Sequence, residues 1–203
     1  LFFVFDASIN YWVFQCDISL FDIENEWINK TKDSWKVTAH KKKIKKGDKL
    51  IGFKSNGLHT NGYSLARNVL FSEYEINDKP GKLDCSVAEE LLKVHKSYLS
   101  LITDLKSIEG VNGFSHITGG GIIGNTKRVL PDGLSLEMNW DSWERPAIFK
   151  LIQETGNVDE EDMRQTFNLG IGLIAVVNPD SLNDVKSVSE KLGEEIFEIG
   201  SVK

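Results

Sequence analysis

Cysteine, proline and long apolar runs are all scarce in this chain of 203 residues. Its two cysteines, Cys16 and Cys85, are far apart and match no metal-binding or redox spacing, so we expect reduced thiols in a cytoplasmic protein. No stretch has the ~20 consecutive apolar residues that a transmembrane helix needs, and no basic segment precedes the apolar start as in a secretory signal. The sequence therefore predicts neither a disulfide scaffold nor a membrane protein.

Basic residues are also fewer than acidic ones. The formal net charge is −6 and the pI is about 5.3, which argues against a nucleic-acid partner. One lysine-rich run at residues 41–46 is interpreted as a solvated turn, with contact to phosphate or nucleic acid as the alternative. The hydrophobic fraction of 40% and the charged fraction of 27% are typical of a globular chain that is long enough to bury a core.

The chain divides into two parts by composition. Residues 1–35 begin with apolar, strand-like runs and continue as a polar connector, whereas residues 36–203 alternate irregularly between strand and helix patterns. That alternation predicts an α+β sandwich with a mixed sheet packed by helices. Ser86 and Glu89 form a capping-box pattern, and apolar residues at helical spacing predict one helix from there to about residue 102.

Residues 115–125 (SHITGGGIIGN) are the most informative segment. An apolar strand meets three consecutive glycines and then a run that is able to start a helix. Glycines in such a turn allow unusual dihedral angles and a close approach of ligand, and the exposed amides favour an anion. His116 and Thr118 add an imidazole and a hydroxyl. The alternative is a tightly packed turn that binds nothing.

A second loop, residues 55–64 (SNGLHTNGYS), also runs from a strand into a helix. It offers hydroxyl, amide and imidazole donors that suit a phosphate or a sugar, although a polar helix cap at Thr60 or Asn61 is the alternative. If both strands belong to one sheet, the two loops share its edge, and His59 and His116 face one anion as donors or general acids.

Metal binding is not expected from these two histidines, because no third ligand accompanies them at a recognisable spacing. His95 is interpreted as a surface or half-buried residue of the helix that begins at Ser86. Asn168 is interpreted mainly as a structural residue where a helix ends, with a ligand contact as the alternative.

Five segments, taken in order, resemble the aminoimidazole ribonucleotide synthetase family, whose members are also called phosphoribosylformylglycinamidine cyclo-ligases. The segments are residues 46–52 (KGDKLIG), 55–67 (SNGLHTNGYSLAR), 116–131 (HITGGGIIGNTKRVLP), 142–149 (SWERPAIF) and 163–172 (MRQTFNLGIG). The resemblance covers about residues 45–203 and implies the C-terminal domain of such an enzyme, with residues 1–35 an unmatched lead-in and residues 36–203 the domain.

The resemblance implies ATP-dependent closure of an imidazole ring on a ribonucleotide in purine biosynthesis. It implies His59 and His116 as catalytic residues and no protein-bound metal among them. It further implies a set of substrate- and phosphate-binding residues, namely Ser55, Gly57, Thr60, Asn61, Gly62, Thr118, Gly119, Gly120, Gly121, Asn125, Arg128 and Asn168. ATP and Mg²⁺ are implied for the full enzyme, chiefly through an N-terminal domain, and the family implies a cytoplasmic homodimer.

Two departures from the family pattern stand out. Residues 1–35 match no part of an acidic, glycine-rich ATP domain, so the isolated chain is expected to be incomplete and inactive. Val94, His95 and Lys96 occupy the position where the family usually has a Pro-Thr-Arg run, and no role is carried over there. The alternatives are another ATP-dependent enzyme of the same superfamily, or a non-catalytic phosphate- or nucleotide-binding module.

Overall fold

The computed structural model describes residues 43–203. The expectations for the lead-in at 1–35, for a strand near residues 35–39 and for Cys16 lie outside the described residues. Within residues 43–203, no helix has the length and apolarity that crossing a bilayer requires.

A five-stranded sheet forms the centre of the described fold. The strands are β1 Lys49–Lys54, β2 Val111–His116, β3 Leu136–Met138, β4 Ile171–Val177 and β5 Ile196–Val202. Their order is β2-β4-β1-β5-β3, and every neighbouring pair is antiparallel. The predicted α+β class is confirmed, whereas the expected mixed sheet is antiparallel in the part of the chain described here.

Seven α-helices and one 3₁₀ turn pack around this sheet in residues 43–203. They are α1 Tyr63–Glu73, α2 Val87–Leu91, α3 Leu99–Leu105, α4 Gly121–Lys127, α5 Ala147–Thr155, α6 Glu160–Thr166, the 3₁₀ turn Pro179–Ser181 and α7 Leu182–Lys191. The capping box is confirmed: Ser86 Oγ accepts from the Glu89 backbone N–H, and the Glu89 carboxylate accepts from the Ser86 N–H.

The single helix expected from Ser86 to residue 102 is wrong. The chain instead forms α2 and α3, separated by a loop at residues 92–98. The reason is that the two halves of the apolar pattern pack in different places. Val87 and Leu91 join the cluster among α1, α5 and α6, whereas Tyr98 and Leu101 pack on the sheet. A straight helix cannot reach both clusters, and the loop between them carries His95.

The core encloses the middle strand on both of its faces. All seven residues of β4 are buried. Ile174 and Val176 face a cluster with Leu50, Ile122 and others. Alternate residues such as Ala175 face a second cluster that includes residues of α3 and α7. A strand covered on both sides reads as a continuous apolar run, which is how the sequence presents β4.

The sheet topology places the two sequence-predicted loops together. Strands β1 and β2 both run antiparallel to β4, which lies between them, so they point in the same direction. Their carboxyl ends, at Lys54 and His116, therefore lie at the same edge of the sheet, next to the start of β4 at Ile171. The loops that follow them meet at this edge.

Candidate functional site at the edge of the sheet

The histidine loop (residues 55–62) and the glycine loop (residues 116–121) are joined by a direct hydrogen bond. The Gly119 N–H donates to Asn61 Oδ1 at 2.9 Å. The other end of the same amide, Asn61 Nδ2, donates to the His59 carbonyl at 2.7 Å. Asn61 therefore fixes the distance between the two loops, and the predicted convergence of His59 and His116 is observed.

The histidine loop has an unusual backbone. His59 and Thr60 both have left-handed dihedral angles, with φ of 52° and 59°. Such angles are uncommon for residues other than glycine, and strained positions of this kind cluster at functional sites. Gly62 has φ 71° and begins α1. A side chain at Gly62 would overlap the Phe167 ring, so packing alone accounts for this glycine.

Asn168 holds the histidine loop from behind. Its Oδ1 accepts from Ser55 Oγ at 2.9 Å and from the Gly170 N–H at 2.8 Å, and its Nδ2 donates to the Gly57 carbonyl at 2.8 Å. Asn168 is almost fully buried. The structural interpretation of Asn168 agrees with this geometry, since its amide groups are used by protein atoms. Ser55 and Gly57 serve the same scaffold.

Packing explains much of the glycine loop. Gly120 and Gly121 have left-handed φ values of 103° and 65°, and a Cβ on Gly121 would overlap the Arg164 carbonyl oxygen of α6. Two of the three amides are used within the protein: the Gly119 N–H donates to Asn61, and the Gly121 N–H donates to the Thr118 carbonyl at 3.2 Å. The loop is therefore a tightly packed turn, and its amides do not form an open row.

Asn125 and Arg128 reach the glycine loop from helix α4 and its end. Asn125 is completely buried, and its Nδ2 donates to the Gly121 carbonyl at 2.7 Å and to the Thr118 carbonyl at 3.0 Å. Its Oδ1 accepts from Thr118 Oγ1 and from Arg128 Nη1. Arg128 Nη2 lies 3.6 Å from the position that a Cβ on Gly120 would take. A guanidinium group thus lies over the exposed glycine turn.

Three imidazole rings meet between the loops. The His95 ring lies between the other two, with centroids 4.1 Å from His59 and 5.2 Å from His116. His95 Nε2 is 3.2 Å from His116 Nε2. One ligand nitrogen from each of the three residues lies within 4.8 Å of the others. Tyr98 contacts both outer rings edge-on and donates its hydroxyl to the Lys54 carbonyl at 2.8 Å.

Burial keeps these imidazoles neutral. It is the main cause that lowers the pKa of His59 to about 3, and repulsion from His95, His116 and Lys96 lowers it further. Burial, followed by His95, lowers the pKa of His116 to about 4, and burial lowers the pKa of His95 as well. At neutral pH the unliganded site therefore offers N–H donors and lone pairs, and it does not hold an imidazolium that acts as a general acid.

The orientation of His59 follows from Asn56. Asn56 Nδ2 donates to the Val94 carbonyl at 2.7 Å, so Asn56 Oδ1 is the acceptor for His59 Nε2 at 2.7 Å. The Asn56 backbone N–H also lies 3.3 Å from His59 Nε2, but the shorter contact assigns the proton to Nε2. His59 Nδ1 then carries the lone pair, and this buried atom has no hydrogen-bond partner among the described residues.

His95, Tyr98 and Asn56 are the site residues that sequence reasoning missed. The expected helix would have placed His95 on a regular surface, whereas the loop at 92–98 brings it between His59 and His116. The Val94-His95-Lys96 departure from the family pattern was the available signal. It marked an unusual position without indicating where in space that position lies.

A cleft of about 530 Å³ opens beside the histidine loop. Its lining includes three lysines, each paired with a carboxylate: Lys54 with Glu195, Lys93 with Glu90, and Lys96 with Glu194. Volumes of this order are usual for small-molecule sites. Of these lysines, Lys96 acts electrostatically on His59, and each lysine is balanced by its carboxylate.

The donor set fits an anion and does not fit Mg²⁺. Neutral N–H groups, amides, a guanidinium and lysines are typical partners of phosphate. Mg²⁺ prefers carboxylate oxygens and water. Within residues 43–203, one cluster brings three potential metal-ligating side chains close together, and it contains three histidines and no carboxylate. The described residues therefore do not provide the magnesium site that the resemblance implies for the whole enzyme.

Comparison with known proteins identifies the family. Residues 45–203 match the family model described as "AIR synthase related protein, C-terminal domain". The chain belongs to this family. The match covers all five strands and both loops, so the sequence-based resemblance is confirmed.

Curated relatives carry one enzyme name. The chain is 45% identical over 165 residues to the phosphoribosylformylglycinamidine cyclo-ligase of Sorangium cellulosum (strain So ce56), covering 79% of this chain and 47% of the relative. It is 43% identical over 160 residues to the protein of the same name from Bacillus cereus (strain G9842), covering 78% and 46%. The chain thus spans about half the length of the curated relatives it matches.

A solved structure has the same fold. The thiamine-monophosphate kinase from Stenotrophomonas maltophilia K279a aligns with a TM-score of 0.55 at 12% identity, over 78% of this chain and 48% of that chain. At this identity the likeness concerns the fold alone. It agrees with the α+β class described above.

Proposed function

We propose that this chain supplies the C-terminal, substrate- and phosphate-binding half of a phosphoribosylformylglycinamidine cyclo-ligase. The observation that carries the proposal is the convergence of the histidine and glycine loops through the Asn61–Gly119 hydrogen bond. The names of the relatives and the family match support the same reaction.

In the proposed reaction, the formyl amide oxygen of formylglycinamidine ribonucleotide takes the γ-phosphoryl group of ATP. The amidine nitrogen then attacks the activated carbon, phosphate leaves with the former amide oxygen, and the nitrogen loses a proton as the imidazole ring closes. Phosphorylation makes a poor leaving oxygen into a good one. The contribution of the protein is to position the reacting atoms and to stabilise developing negative charge.

His59, His116 and Arg128 have distinct parts in this proposal. The two imidazoles take up protons when the ligand binds, the N–H groups so formed donate to phosphoryl oxygens, and Arg128, over the glycine turn, adds positive charge. A bound phosphate dianion favours the imidazolium form, so ligand binding raises the pKa values that burial had lowered. Asn61 and Asn125 position the loops, and the lysine-lined cleft accommodates the ribonucleotide.

ATP and Mg²⁺ are proposed to bind chiefly through the half of the enzyme that this chain does not match. The carboxylates that Mg²⁺ needs are proposed to come from that half. The isolated chain is accordingly proposed to bind the ribonucleotide without turning it over, and to act in a cytoplasmic homodimer of the whole enzyme.

Reconstitution tests the proposal directly. The chain is mixed with the separately produced N-terminal half of the Bacillus cereus relative, and ring closure of formylglycinamidine ribonucleotide is assayed with ATP and Mg²⁺. Activity in the mixture, with none in either half, is the expected result. Ribonucleotide binding by the chain without recovered activity would instead support a non-catalytic binding module, and absence of both would overturn the proposal.

A further inference from the structure

The three imidazoles come from three separate parts of the chain. His59 lies in the loop after β1, His95 in the loop between α2 and α3, and His116 at the end of β2. His59 and His116 are buried and His95 is half-buried, which costs solvation, and hydrophobic packing alone would not select such residues. They are the three histidines of residues 43–203, and all three lie in this one cluster.

The spacing of two nitrogens matches a tetrahedral ion. His95 Nε2 and His116 Nε2 are 3.2 Å apart. Two imidazole nitrogens at 2.0–2.1 Å from a tetrahedral Zn²⁺ are about 3.3–3.4 Å apart. Without an ion, one of these nitrogens must donate a proton to the other. A divalent cation can replace that proton once the two rings turn so that both lone pairs point at it.

His59 provides the third nitrogen. Only 3% of His59 is exposed, and its Nδ1 carries a lone pair with no hydrogen-bond partner among the described residues. A buried lone pair without a partner is costly, and ligation of a metal removes that cost. The three ligand atoms lie within 4.8 Å of one another. Rotation of an imidazole about χ2, which is a soft torsion, is needed to bring them to the shorter separation that a bound ion requires.

Hydrogen bonds to the nitrogens outside the cluster already orient two of the rings. Asn56 Oδ1 accepts from His59 Nε2 at 2.7 Å, which leaves the lone pair of this ring on Nδ1. Thr60 Oγ1 lies 3.3 Å from His95 Nδ1, which leaves His95 Nε2 for the cluster. Partners of this kind, on the nitrogen that does not face the metal, accompany metal-ligating histidines in general.

From these observations we infer that His59, His95 and His116 form a binding site for a divalent transition-metal ion of the Zn²⁺ class. Three imidazoles and no carboxylate favour Zn²⁺, Co²⁺ or Ni²⁺ over Mg²⁺ or Ca²⁺. Three protein ligands leave a fourth position for water or for an anionic group, as in open three-histidine sites. The inference does not depend on the proposed cyclo-ligase activity.

The experiment uses the full 203-residue chain, freed of metal with a chelator and titrated with ZnCl₂ by calorimetry. The expected result is one ion per chain, and Co²⁺ should give the intense visible absorption of a tetrahedral complex. His95→Thr, which introduces the residue that the family usually has there, should weaken Zn²⁺ binding by about 100-fold or more. Asn56→Ala should weaken Zn²⁺ binding by about tenfold, because the hydrogen bond that orients the His59 ring is lost.

His40→Gln is the matched control, because His40 is the one histidine outside the described cluster, and this variant should bind Zn²⁺ like the parent chain. Circular dichroism establishes that the variants are folded before they are titrated. Three outcomes would overturn the inference: no Zn²⁺ binding by the parent chain, equal binding by His95→Thr, or dependence of binding on His40. None of them bears on ring closure by the reconstituted enzyme, which tests the proposed function separately.

Discussion

Replacing Gly121 by alanine should destabilise the fold far more than replacing Gly124, three residues later in the same helix. At Gly121 the new methyl group would overlap the Arg164 carbonyl oxygen, and φ is +65°. At Gly124 the added Cβ would meet nothing within 4 Å. The two substitutions add the same atoms to one helix, so their difference measures the left-handed backbone at Gly121 together with its contact with α6.

The magnitudes follow from two contributions. The left-handed backbone costs an alanine about 1–2 kcal/mol. Separating two packed helices to admit the methyl group costs about 1–3 kcal/mol more. Gly121→Ala should therefore lose about 2–5 kcal/mol, a large part of the ~5–15 kcal/mol by which domains are usually stable. Gly124→Ala should gain about 0.5–1 kcal/mol, because alanine is the better helix former.

Urea unfolding followed by tryptophan fluorescence measures both variants, since the chain contains five tryptophans. With a slope of about 1–3 kcal/mol per molar urea, the Gly121→Ala midpoint should fall by roughly 1–2 M. If the two alanine variants unfold within about 0.5 kcal/mol of each other, the packing explanation of the glycine loop is refuted. The glycines would then be explained only by ligand approach.

Three further predictions concern the site. Asn61→Ala removes the hydrogen bond between the loops, so the Kd for formylglycinamidine ribonucleotide should rise about tenfold by calorimetry. The free energy of unfolding should change little. An unchanged Kd would contradict the role given to Asn61. The folded-state pKa values of His59 and His116 are lowered to about 3 and about 4. The free energy of unfolding should therefore be highest above pH 6.5 and should fall as the pH falls towards 4. The loss should be about 1.4 kcal/mol per pH unit for each histidine. Urea midpoints at pH 7, 6 and 5 measure this loss, and His116→Asn should show a shallower dependence on pH than the parent chain. Binding of inorganic sulfate, which is a dianion at pH 6, should take up protons, seen as a dependence of the calorimetric heat on the ionisation enthalpy of the buffer, and a buffer-independent heat would show that no imidazole faces the anion.

Much of the fold was predictable because its signals are local. The capping box at Ser86, the apolar run of β4 and the glycine turns each specify nearby backbone without long-range information. The pairing of strands is not local. The spacing of apolar residues does not reveal that β4 lies between β1 and β2. For this reason the sequence predicts a mixed sheet, whereas the structure has an antiparallel one.

The part of the site that the sequence predicts consists of residues in the two loops that follow β1 and β2. His59 and His116 stand out because each follows a strand and precedes a helix. His95 did not stand out, because its position depends on a break between α2 and α3 that tertiary packing imposes on a helical pattern. The role of Asn168 as a support of the histidine loop likewise depends on the Gly57 carbonyl, which is far away in sequence and which only the folded chain brings within reach.

If His59 and His116 act on one phosphate-bearing ligand, a double-mutant cycle should show that their contributions to binding are coupled. Calorimetry measures binding of formylglycinamidine ribonucleotide to the parent chain, His59→Asn, His116→Asn and the double variant. Each single change should weaken binding, and the two effects should be coupled by about 0.5 kcal/mol or more. Effects that add within about 0.3 kcal/mol, or binding that neither change weakens, would contradict it.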